Sequence, residues 1–144
     1  MSIRISISQQ ELCHGDKHYR ISSGKAGTGS EEGSGKTPLG RFRIASKHGE
    51  HAAANTIFIG RLPVGQYPTD LPKGAKEAIL SRILTLDGEE AHNANTKARY
   101  IYIHGTSDIA HLGQPASLGC IRMHPEDIIA LYNGVKLGEE VVID

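Results

Sequence analysis

The spacing of its apolar residues restricts this chain more than any other feature. At the N-terminus Ile3, Ile5 and Ile7 alternate with Arg4, Ser6 and Ser8, a period of two that sets one strand face on a core and the other in water. Short segments of the same kind recur. Glu11–His14 follows across Gln9-Gln10 and can pair with the first strand. After a Gly15-Asp16 turn, His18–Ser22 puts Tyr19 and Ile21 on one face. Phe42 and Ile44 share a face of Arg41–Ser46, and further strands are expected at Thr56–Gly60, Ile79–Leu86, Arg99–Ile103 and Glu140–Ile143.

Between these segments the chain turns often. Glycine makes up 17 of 144 residues, well above the usual share of about 7%. Five of them, from Gly24 to Gly35, fall in a Ser/Thr-rich loop over Ser23–Lys36. Leu62–Lys73 carries Pro63, Pro68 and Pro72 and reads as loop, and Ala91–Lys97 is a polar loop. The first half of Ala75–Asp87 allows a helical turn. The best helix is His124–Tyr132, with Pro125 early, Glu126 and Asp127 in the first turn and Asn133-Gly134 as its stop. Many strands without β-α alternation imply a mainly β fold, an antiparallel sandwich or barrel-like domain over residues 1–144 with one or two short helices.

Charge narrows the function classes. Sixteen Lys+Arg balance 16 Asp+Glu, and mean hydropathy is -0.31, so neither nucleic acid nor an anionic membrane is an expected partner. The opening segment is no signal peptide by pattern. With Met1 as the start a cytoplasmic location is expected, and a periplasmic one only if a signal preceded it. Gly35-Lys36-Thr37 imitates the tail of a phosphate-binding loop, but Ser30 stands where that motif needs glycine, and Pro38 opposes the helix that must follow. The pairs His48/His51 and Cys120/His124 match no zinc pattern, so neither metal nor cofactor is expected.

The stretch from Tyr100 to Met123 carries the chemistry. A strand ends in His104, Gly105 releases a polar loop containing His111, and the loop returns as Ser117-Leu118-Gly119-Cys120 just before a helix. A cysteine nucleophile needs a base within reach or a depressed pKa. An imidazole fixed at a strand end supplies both through a thiolate–imidazolium pair, and N–H groups around Gly119 and Cys120 suit an oxyanion hole. By spacing alone the Cys/His pairing is a weak signal, because a free cysteine is more often a small, buried and inert core residue. Cys13, in a strand with no polar cluster after it, reads as structural.

These residues resemble the signature of the L,D-transpeptidase catalytic domain (YkuD-type) family: His, about sixteen residues, then Ser/Thr-x-Gly-Cys-apolar-Arg/Asn. His104 and Cys120 are sixteen apart, with Ser117, Gly119, Ile121 and Arg122 in place. Thr37-Pro38-Leu39-Gly40-Arg41-Phe42-Arg43-Ile44 is similar to the family's Thr-Pro-x-Gly-x-Phe-x-Ile after a Gly-rich loop. Leu118 stands where relatives often have histidine.

The resemblance implies cysteine acyl transfer on peptidoglycan stem peptides. Cys120 is then the nucleophile, His104 the base, the Gly105 backbone carbonyl the group that orients it, and Gly119 an oxyanion-hole donor. Arg122 either braces the loop or holds a substrate carboxylate, and Ser117, Leu118 and His111 are candidate substrate contacts. The expected substrate is a muropeptide or free tetrapeptide, and carbapenem-type compounds are expected covalent inhibitors. Without an export signal, hydrolysis (an L,D-carboxypeptidase of muropeptide recycling) is favoured over 3-3 cross-linking or D-amino-acid exchange. A non-catalytic stem-peptide binding module is the remaining alternative.

Overall fold

The computed structural model describes residues 1–144. Its strands are β1 (Ile3–Ser6), β2 (Glu11–His14), β3 (Lys17–Ser22), β4 (Gly40–His48), β5 (Thr56–Ile59), β6 (Leu62–Gln66), β7 (Ile79–Gly88), β8 (Tyr102–Thr106), β9 (Ile121–Met123) and β10 (Glu140–Ile143). One α-helix, α1 (Pro125–Gly134), and short 3-10 turns at Ala91–Asn93 and Ile109–His111 complete the regular structure. The fold is mainly β, as expected.

All ten strands join one sheet in the order β4-β10-β1-β2-β3-β9-β8-β7-β5-β6, and β4 also pairs with β7. The sheet therefore closes on itself, with the β5–β6 hairpin hanging from β7. Closure removes most of the edges at which a sheet would pair with another chain. Neighbours are antiparallel except β1 with β10 and β8 with β9.

The inward residues of these strands form one cluster of 18 buried side chains. It runs from Ile3 and Ile5 through Phe42, Leu84, Ile103 and Ile121 to Ile143. The amphipathic α1 packs Ile128 and Leu131 onto β7 and β8, both fully buried, a gain of about 1.5–3 kcal/mol for each side chain. The helix starts as its sequence suggests. Pro125 occupies a position that needs no N–H, and His124 Nδ1 accepts from the Glu126 N–H at 3.1 Å.

Four elements differ from expectation. Leu62–Gln66 is strand rather than loop. Its Pro63 is tolerated because β6 is the outermost strand, where a missing N–H breaks no ladder. Residues before Ile79 form no helix. β8 begins at Tyr102 and not at Arg99, because turn hydrogen bonds from Arg99 N to Asn95 O and Tyr100 N to Lys97 O hold the preceding chain, with Tyr100 at φ 58°. It ends at Thr106, so His104 lies inside the strand. Finally, β9 separates Cys120 from α1.

Candidate active site

β8 and β9 run parallel, with His104 opposite Arg122 and Ile103 opposite Ile121. That register puts Cys120, one residue before β9, at the mouth of the same strand pair. Both side chains line a cavity of about 200 Å³ together with Glu77, Ala78 and Arg122.

His104 is 4% exposed, and its Nδ1 lies 2.7 Å from the Gly105 carbonyl oxygen. A carbonyl only accepts, so Nδ1 carries the proton and Nε2 keeps its lone pair. Gly105 is required there by close approach. A Cβ would collide with the Leu80 carbonyl oxygen on β7 and press on Ile128 of α1.

Cys120 ends a tight turn that Ser117 closes. Ser117 Oγ donates to the Cys120 carbonyl at 2.7 Å and accepts from the Gly119 N–H at 3.0 Å. Gly119 sits at φ 126° with Lys36 O close to where a Cβ would be, conditions that only glycine meets without strain. Thr37, fully buried, ties this turn to the Gly-rich loop by donating to Gly119 O and accepting from Gly24 N–H, each at 2.8 Å. The Thr-Pro-Leu-Gly motif thus holds the cysteine loop in place.

Two expectations change here. The Gly119 N–H is committed to Ser117, so it cannot receive an oxyanion. The Cys120 N–H makes no hydrogen bond within the protein and is the available donor. Nor is the thiol hydrogen-bonded to the imidazole in this conformation. Tyr102 N–H donates to Sγ at 3.3 Å, and the thiol donates to the Tyr100 carbonyl at 3.4 Å. Proton transfer requires it to turn from that carbonyl toward His104 across the shared cavity.

Arg122, 3% exposed, is held by two carboxylates, Glu77 Oε1 at 3.1 Å and Asp108 Oδ2 at 3.2 Å. It also donates to Ser22 Oγ at 3.0 Å. Glu77 in turn accepts from Thr106 Oγ1, and Asp108 accepts from His111 Nδ1 at 2.8 Å. This engagement suits bracing of β3, β8 and β9 around the cavity. Leu118 is 92% exposed at the cavity lip. His111 does not line the cavity; Asp108 takes its Nδ1 and its ring points to solvent.

Electrostatics set the resting protonation. Burial pushes the Cys120 thiol up to about 11, against the lowering pull of the Tyr102 N–H, and Glu77 adds to the rise. Burial also holds His104 below the ordinary histidine value, although the Gly105 carbonyl and Glu77 pull it upward. Burial thus favours a neutral thiol and a neutral imidazole at neutral pH over the ion pair expected from sequence. Iodoacetamide, which attacks the thiolate, is therefore expected to label Cys120 in a Cys13→Ser chain with a midpoint near pH 11. A midpoint at the ordinary thiol value of about 8.5 would contradict the rise by burial, and one below neutral pH would contradict the neutral pair.

Glu77 and Asp108 carry no signal in the sequence. Glu77 precedes a strand, Asp108 follows one, and only the sheet brings both to Arg122.

The family described as L,D-transpeptidase catalytic domain matches residues 1–143. Two Bacillus subtilis proteins whose names assign them as L,D-transpeptidases are similar. YkuD is 34% identical over 84 residues, 58% of this chain and 51% of its own. YqjB is 31% identical over 107 residues, 74% of this chain and 51% of its own. The chain thus spans about half the length of these relatives. Among solved structures, L,D-transpeptidase 3 of Mycobacterium tuberculosis, in complex with a faropenem-derived adduct, superposes with a TM-score of 0.61 at 21% identity. The match covers 99% of this chain and 59% of that one, and it shows a shared fold.

Proposed function

Because the chain belongs to the L,D-transpeptidase catalytic domain family, we propose that it is a cysteine acyl-transfer enzyme acting on peptidoglycan stem tetrapeptides, with water as the acyl acceptor. The observation that carries the reading is the cavity shared by Cys120 and His104, with Nδ1 locked on the Gly105 carbonyl and Nε2 left as a base.

In this mechanism the thiol turns to His104 and gives its proton to Nε2 as sulfur attacks the carbonyl of the L-centre third residue. The tetrahedral oxyanion takes the Cys120 N–H. Collapse breaks the bond to the terminal D-alanine, whose amine leaves with the proton from His104, and a thioester remains on Cys120. His104 then deprotonates water, which attacks the thioester. The acid tripeptide departs, and the proton returns to sulfur. Cys120, an only partly buried residue at the cavity mouth, lies beside the exposed Leu118 lip, which leaves water a route to the thioester. The faropenem-derived adduct of the M. tuberculosis relative and the imipenem complex of the L,D-transpeptidase LdtMt1 support the reading that carbapenem-type compounds trap Cys120 here too.

One observation supports a second reading. A cavity of about 450 Å³ on the other side of Leu118, lined by Gly35, Arg99 and Tyr100, has room for an amine acceptor, as transpeptidation requires. Mass spectrometry after incubation with a disaccharide tetrapeptide separates the two. Loss of D-alanine without dimer or D-amino-acid exchange is the expected result. Dominant dimer or exchange would establish transpeptidation, and an unchanged substrate would remove both.

A further inference from the structure

The β2–β3 hairpin carries a second group of reactive side chains, none of which lines the Cys120 cavity. Gly15, at φ 62°, starts a two-residue turn that sets His14 opposite Lys17 and Cys13 opposite His18. Beyond such a turn the Cys13/His18 rung is the non-hydrogen-bonded kind, in which facing side chains come closest. Glu11 lies two residues before Cys13 and so on the same face. Leu12, between them, points the other way and is fully buried. The three polar side chains therefore share the solvent-facing side of the hairpin, with the His18 side chain 60% and the Glu11 side chain 38% exposed.

We infer that Cys13, His18 and Glu11 form a binding site for a zinc-type divalent cation, with the fourth coordination position open to solvent. Cys13 Sγ is 3.1 Å from His18 Nδ1 and 3.5 Å from Glu11 Oε1, and His18 Nδ1 is 3.5 Å from Glu11 Oε1. Around a tetrahedral zinc, with bonds of about 2.0–2.3 Å, ligand atoms stand about 3.3–3.6 Å apart. The donor triangle already has nearly that size, so capture of the ion needs small adjustments rather than a new fold.

The donor set also selects the ion. A thiolate and an imidazole favour zinc over magnesium or calcium, which prefer oxygen alone. Binding replaces the thiol proton, released to solvent, with the metal. One thiolate, one carboxylate and a neutral imidazole then balance the two positive charges. Two arginines face the group. Arg4, opposite Cys13 on β1, turns its guanidinium to Asp144 at 3.6 Å. Arg20, opposite Glu11, lays its stem along Gly113. The sequence hides this site because residues 11, 13 and 18 have no zinc spacing until the hairpin register joins them.

Cobalt(II) titration of the Cys120→Ser chain, which removes the other thiol, tests the site. One equivalent is expected to give a thiolate-to-cobalt charge-transfer band in the near ultraviolet, which zinc then displaces. Cys13→Ser in the same background is expected to abolish the band. His18→Ala and Glu11→Gln should each weaken binding by about tenfold or more. A chain that gives no band near neutral pH, a band that survives Cys13→Ser, or affinity unchanged by His18→Ala would overturn the inference.

Discussion

Replacing Cys120 with alanine is expected to lower D-alanine release by about 10⁴-fold or more while the chain stays folded, because no other group can carry the acyl intermediate. The structural cost is small. The side chain is half-buried at the cavity mouth, and its deletion takes one sulfur acceptor from the Tyr102 N–H, worth about 1 kcal/mol. Urea unfolding alongside the activity assay separates the two effects. Normal turnover in the variant would move the nucleophile elsewhere. Cys13 is a poor substitute, since it lies on the outer face of the β2–β3 hairpin and not in the His104 cavity.

Arg122→Met should be the most damaging change to stability near the site. The arginine is buried against Glu77, Asp108 and Ser22, and removing it leaves two carboxylates facing one another. Breaking a buried pair costs 3–5 kcal/mol in general, and about 3 kcal/mol is expected here because both carboxylates keep some access to water. Denaturant midpoints check this. The pH dependence has a definite sign. Asp108 is held below the usual carboxylate range, first by its bond from His111 and then by Arg122. Its share of stability is therefore complete at neutral pH and lost only as pH falls through that depressed value. In Arg122→Met part of that low-pH dependence should disappear. A variant as stable as the parent would mean that the network braces nothing.

Much of the fold and of the site is legible in the sequence. Period-two alternation located β1, and a proline-led, acid-rich start located α1, because both patterns depend on local geometry alone. The His104 and Cys120 motif pointed to one cavity, and parallel pairing of β8 with β9 supplies the physical reason. What stayed hidden depends on distant contacts. Pro63 argued against β6, since nothing local reveals that a strand lies at an edge. The commitment of Gly119 N–H to Ser117 Oγ, which leaves Cys120 N–H as the free donor beside the sulfur, is a matter of turn geometry that residue types do not encode. The neutral resting pair follows from burial of both groups, a property of the assembled sheet. Glu77 and Asp108 reach Arg122 only because β7, β8 and β9 converge. Tertiary register explains each omission.

The proposed function stands on the Cys120 sulfur taking the acyl group with His104 as its base. Acid quenching during turnover of a disaccharide tetrapeptide, followed by peptide mapping, observes that step directly. The expected product is a thioester of the shortened peptide on Cys120, formed at least about 100-fold more slowly in His104→Ala. Turnover with no acyl group on Cys120, or acylation as fast without the imidazole as with it, would contradict the account.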